Sequence, residues 1–99
     1  MTKMQYNFEW DAKKAKTNIH KHKINFERAA TIFRDSNALS IVDEEHSEYE
    51  ERWVTIGLDN NGVLLSIVHT FNNINKSLCK IRVISARKAT NFECKQYEG

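Results

Sequence analysis

An α+β domain with helices packed on one face of an antiparallel meander sheet is what this sequence predicts, and three observations predict it. Apolar residues recur at helical spacing between Asp11 and Phe33. They alternate with polar ones from Ala38 onward, and an Asn61-Gly62 pair punctuates the alternating stretch. Gln5 to Trp10 alternate strongly enough for a short first strand, with Tyr6, Phe8 and Trp10 on one face. Asp11 is placed to cap a helix in which Ala12, Ala15 and Ile19 share a face. Asn25 is placed to cap a second, where Phe26, Ala29, Ala30 and Phe33 fall at i, i+3, i+4 and i+7. Ala38–Val42 reads as a strand entering an acidic loop. Arg52–Leu58 and Val63–Phe71 read as a hairpin, since both residues of Asn61-Gly62 tolerate positive φ in a type I′ turn. That turn sets Arg52 opposite Phe71 and Val54 opposite His69, so Val54, Ile56 and Leu58 share a face with Leu65, Ile67 and Phe71. A polar connection, Asn72 to Ser77, leads to a last strand, Cys79–Ala86. Thr90-Asn91-Phe92-Glu93 then matches a capping box and opens a short C-terminal helix.

At 99 residues the chain has room for one domain, 1–99, of modest intrinsic stability. Its 40% apolar and 28% charged residues argue against disorder. No apolar run approaches the roughly 20 residues a membrane span needs. The N-terminus lacks the apolar core of a signal peptide, so a cytoplasmic location without membrane contact is expected. Cys79 and Cys94 have neither metal nor redox spacing, and His20 and His22 point to different sides of a helix. With no Gly-rich phosphate loop, nucleophile elbow or zinc pattern, no metal and no cofactor are expected. The net charge of +2 permits a nucleic-acid partner without demanding one. Its distribution is uneven. Lys13, Lys14, Lys16, Lys21 and Lys23 are the only charges from Ala12 to Lys23, the stretch Asp43–Glu51 is acidic, and the C-terminal third turns basic again. Such blocks are either ordinary solvated faces or a basic surface for RNA with the acidic loop kept outside it.

The stretch Phe8-Glu9-Trp10-Asp11 with Lys14, Ala15 and Asn18, then Lys21-His22, Ile24, Phe26-Glu27, Ala29 and Phe33, resembles the opening of BrnT proteins. Asp43, His46-Ser47, Glu50-Glu51-Arg52-Trp53 and Thr55-Ile56-Gly57 resemble the central signature of that family. Val68-His69-Thr70 and Ile81 to Thr90 complete it, so the resemblance runs from about Phe8 to Tyr97. It implies a RelE-like fold and growth arrest through RNA cleavage. It also implies neutralisation by a BrnA-type antitoxin, repression of promoter DNA only through the antitoxin complex, and paired toxin–antitoxin heterodimers.

RNA cleavage without a metal needs a base for the ribose 2′-hydroxyl, cations for the charge growing on phosphorus, and an acid for the leaving 5′-oxygen. The later strands offer Arg52, His69, Arg82 and Arg87 as catalytic candidates. Arg82 alternates with Ile81 and Val83, and so points with Lys80 to the face that carries Ser66 and Thr70, with Trp53 and Thr55 expected beside them. A surface ion pair, with Glu51 for instance, is the plainer reading. Arg87 either reaches a phosphate or braces the C-terminal helix. Arg52 lies on the apolar face with Val54 and reaches an exposed rim or pairs with the acidic run. His69, between Ile67 and Phe71, serves as base or is a satisfied core residue. Lys14, Trp53, Lys80 and Lys88 are the candidate RNA contacts. A rival reading is a non-enzymatic module that binds an antitoxin and acts as a transcriptional corepressor.

Overall fold

The computed structural model describes residues 4–99. The chain runs β1 (Gln5–Glu9), α1 (Ala12–His22), α2 (Phe26–Ala30) and a 3-10 turn (Thr31–Arg34). There follow β2 (Leu39–Val42), β3 (Trp53–Leu58), β4 (Leu64–Asn73), β5 (Leu78–Lys88) and α3 (Asn91–Glu98). The strands form one sheet in the order β1-β5-β4-β3-β2. The meander β2 to β5 is antiparallel as predicted, while β1 lies parallel beside β5 and makes the sheet mixed.

The predicted caps form. Asp11 accepts from the N–H groups of Lys13 and Lys14 at 2.8 and 3.1 Å, and Asn25 accepts from Arg28 at 2.7 Å. Thr90 and Glu93 make the reciprocal capping box. The inward residue of α1 differs from expectation. Ile19 is exposed, and Asn18 is buried in its place. β1 stops beside Arg82, which leaves the β5 backbone beyond it without a strand partner on that edge. The Asn18 amide fills that gap: its Nδ2 donates to the carbonyls of Ala86 and Ile24, both at 2.9 Å, and its Oδ1 accepts from the Ala86 N–H at 3.0 Å. A polar side chain thus continues the sheet edge.

The hairpin between β3 and β4 departs from the predicted register by one residue. Trp53 pairs with His69 and Val54 with Val68, where Arg52–Phe71 and Val54–His69 were expected. The cause is Asp59. Its buried carboxylate accepts from the N–H groups of Asn61 and Val63 at 2.8 and 2.9 Å and from Arg28 Nε. The result is a three-residue loop in which Gly62 alone takes positive φ, +78°, and Asn61 does not. A one-residue slip exchanges faces. Trp53, Thr55 and Gly57 therefore share the inner face with Leu65, Ile67 and His69, while Val54, Ile56 and Leu58 lie on the outer face with Ser66 and Val68.

The inner face packs under the two N-terminal helices. Ile24, Phe26, Ala29 and Ile32 meet Leu65, Ile67, Ile81, Val83 and Ala86, all essentially inaccessible. A bulge opposite Val68/His69 adds a residue to β5, so Ile84 and Ser85 are both half-buried while Val83 and Ala86 stay in the core. The short C-terminal helix, expected with the others, lies on the opposite face. There Glu93 reaches Ser66 and Arg87, Tyr97 donates to Asp35 at 2.6 Å, and Ile56 is buried outside the main core.

Candidate functional site

The outer face of the sheet, where α3 does not cover it, brings two arginines together. Arg82 on β5 is paired with Thr70 on β4, and Arg52 stands immediately before β3, one step beyond the Trp53–His69 pair. Continuing that register sets Arg52 beside Thr70, so Arg52, Thr70 and Arg82 form one row across three strands. The placement of Arg82, Ser66 and Thr70 agrees with the alternation of β5. Trp53 and Thr55 were expected on this face and lie on the other one, because of the slipped register.

The acidic loop supplies the third member of the site. Arg82 donates to Glu50 Oε1, and Arg52 Nε lies 3.7 Å from the same oxygen. The loop is braced for this. The Asp43 N–H donates to the Arg52 carbonyl at 2.7 Å, and the Ser47 hydroxyl links the Asp43 carbonyl to the Arg52 N–H. The Arg52 Nε is buried and has no hydrogen-bond partner among the described residues. Two guanidinium groups converging on one oxygen define an anion position, since each presents planar donors suited to carboxylate or phosphate. One of the two readings of the charge blocks kept the acidic loop outside a basic surface; Glu50 lies between its arginines. No strand alternation marked this in the sequence, because Glu50 stands two residues before Arg52 in a bend rather than in extended chain.

The other candidates are placed elsewhere. Arg87 is engaged by Glu93 through two hydrogen bonds at 2.7 and 3.1 Å, so it braces α3. Burial opposes ionisation of Glu93, but hydrogen bonds from Arg87, the Thr90 N–H and Ser66 hold its carboxyl down at about 2. His69 is wholly buried on the inner face, between the edges of Phe33 and Phe71 at 4.9 and 4.6 Å, with Nε2 2.6 Å from Thr55 Oγ1. Burial, only partly offset by a hydrogen bond with the Thr70 backbone, drops its pKa to about 4, so the ring is neutral at pH 7. It is not brought to the arginines. Trp53 packs edge-on against Phe71 and donates to Glu51 at 3.1 Å. Lys80 shares the outer face and lies 3.9 Å from Glu9. Lys14 is exposed on α1, and Lys88 is exposed at the end of β5. Among the described residues no three His, Cys, Asp or Glu side chains gather as metal ligands, and no helix is long and apolar enough to cross a membrane.

Comparison with known proteins gives a consistent answer. The crystal structure of the Brucella abortus ribonuclease toxin BrnT superposes with a TM-score of 0.57 over 92% of this chain and 100% of that one, at 24% sequence identity. This establishes the shared fold. Among curated proteins, none matches the chain in sequence. The profile of one family, described as ribonuclease toxin, BrnT, of type II toxin-antitoxin system, matches residues 10–93. The chain therefore belongs to the BrnT family of ribonuclease toxins.

Proposed function

We propose that the protein cleaves RNA without a metal ion on the outer face of its sheet, with Arg52 and Arg82 as the phosphate clamp. The observation behind this reading is the convergence of the two guanidinium groups on one anion position, held by Glu50. A phosphate entering there gains bidentate donors and gives the buried Arg52 Nε the partner it lacks, a deficiency that otherwise costs about 1–3 kcal/mol. Glu50, displaced by the phosphate but tethered beside it, is the base. It takes the 2′-hydroxyl proton, the 2′-oxygen bonds to phosphorus as the bond from phosphorus to the 5′-oxygen breaks, and the leaving 5′-oxygen takes a proton from water. The products are a 2′,3′-cyclic phosphate and a 5′-hydroxyl. Lys80 adds positive charge along the same face. Arg87 supports the site indirectly by holding α3.

In this reading the fold is RelE-like, the protein acts in the cytoplasm, and a BrnA-type antitoxin neutralises it. The complex forms paired heterodimers and meets promoter DNA only through the antitoxin. The exposed edge strand β2 suits such a partner, since Leu39 and Ile41 are exposed beside half-buried Val54 and Val68. Induction of the chain without an antitoxin is expected to arrest growth and fragment RNA into pieces with 5′-hydroxyl ends. The purified protein should cleave equally well in excess EDTA. The Arg52→Ala, Arg82→Ala double variant should fold and bind antitoxin yet leave RNA intact. Arrest with intact RNA in the wild type, or loss of cleavage in EDTA, overturns the metal-independent mechanism. No arrest from a folded protein favours an antitoxin-binding corepressor.

A further inference from the structure

Three of the four lysines of α1 gather on one side of the helix, with Lys16 apart from them. Lys13, Lys14 and Lys21 line one groove, about 310 Å³ in volume, whose opposite wall is Ile84 and Ser85 of β5. Two features of the fold build it. β1 ends beside Arg82, so α1 is tied directly to the exposed edge of β5 through Asn18 and the Ala86 backbone. The bulge then leaves both Ile84 and Ser85 half-buried in place of the buried residue that strict alternation would supply. The groove wall therefore begins two residues beyond Arg82 on the same strand. At the strand rise it lies about 7–10 Å from that arginine.

Its charge is all of one sign. No acidic residue lines the groove, and α1 contains none from Ala12 to His22. Among the described residues none of Lys13, Lys14 and Lys21 takes part in an ion pair, whereas Lys80, Arg82 and Arg87 each face a carboxylate. Lysines with no carboxylate partner, beside a strand hydroxyl and a short apolar wall, suit a flexible polyanion. An acidic protein segment would match the charge equally, but the groove wall starts two residues beyond Arg82 on β5, which favours the RNA proposed to bind at that arginine.

We infer that the groove between α1 and β5 is a second phosphate-binding site for the RNA substrate, one that holds the backbone a nucleotide or two away from the scissile phosphate. This rests on the ribonuclease reading of the Arg52–Arg82 site. The groove sets how much RNA the toxin grips, while the chemistry stays at the arginines. Short substrates that reach only the arginines gain nothing from it. Longer ones gain affinity that falls with salt.

The test measures binding of fluorescent 2′-O-methyl RNA, which cannot be cleaved, as a trinucleotide and as a dodecamer between 50 and 300 mM salt. The proteins compared are the wild type, Lys14→Ala/Lys21→Ala, and the control Lys76→Ala/Lys95→Ala. The groove variant should bind the dodecamer roughly tenfold more weakly, with a salt slope reduced by about 1.4, and bind the trinucleotide as the wild type does. The control should match the wild type on both. An unchanged dodecamer affinity in the groove variant overturns the inference, as does an equal loss in the control. So does a variant that keeps RNA affinity but loses the antitoxin, since that makes the groove a protein-docking surface. Failure of the wild type to bind either RNA defeats the ribonuclease reading itself.

Discussion

Glu50 sits where a phosphate would sit, and that position makes opposite demands on binding and on chemistry. In the proposed mechanism the Glu50 carboxylate between Arg52 and Arg82 competes with substrate as an anion, yet is also the group that takes the 2′-hydroxyl proton. Glu50→Gln removes the charge and keeps the shape. KM should fall severalfold because the competitor is neutral, while kcat should fall by roughly 10²–10⁴, the usual contribution of a positioned base. Steady-state kinetics on a labelled oligonucleotide separates the two, and an unchanged kcat removes Glu50 from the chemistry. At this scale the sequence was partly legible. Arg82 could be assigned a face from Ile81 and Val83 alone, because β5 keeps period two up to Val83, before its bulge. Arg52 and Trp53 could not, since the face a residue occupies depends on a turn several residues away. His69 was legible as an ambiguity. Its apolar neighbours Ile67 and Phe71 favoured the core, and the ring is buried there.

The elements were easier to read than their pairing. Caps at Asp11, Asn25 and Thr90 depend on local hydrogen bonds, so they can be recognised from adjacent residues. The β3–β4 register instead depends on Asp59, which reaches Arg28 on α2 while holding two N–H groups of its own turn. Nothing within Asn61-Gly62 discloses that long-range partner. The parallel placement of β1 was equally hidden, because a strand pairing across some seventy residues leaves no mark in local periodicity. Asp59→Ala would leave the Asn61 and Val63 N–H groups and the Arg28 guanidinium without their acceptor. It should cost about 2–4 kcal/mol in urea unfolding, the range for a broken buried network. If the loss is under half a kcal/mol, the turn is held by Gly62 and strand pairing instead, and Asp59 does not set the register.

Over the whole molecule, His69 and Glu93, on opposite faces of the sheet, have the largest shifts that make stability fall in acid, and the lowered carboxyls of Asp35 and Asp59 add to the fall at the acid end. His69 is neutral and buried, with its pKa at about 4 in the fold against 6.5 unfolded. As pH drops through that interval the unfolded chain binds a proton that the native protein refuses, so stability declines by about 3 kcal/mol from pH 6.5 to 4 and then levels off. Glu93 takes over below. Its carboxyl, near 4.5 when unfolded and about 2 in the fold, stabilises the protein above pH 4.5, and that contribution is lost as pH falls toward 2. Urea midpoints measured from pH 8 to 3 should therefore decline in two stages. His69→Gln, neutral throughout, should flatten the upper stage and leave the lower one. Glu93→Gln should leave the upper stage and shrink the lower one to the share of Asp35 and Asp59, and also loosen α3, because Arg87 and Ser66 lose a charged acceptor. A wild-type midpoint that stays constant from pH 7 to 4 would mean that the imidazole takes up its proton inside the fold, and the core around Phe33 and Phe71 would then have to open to water at mild acidity.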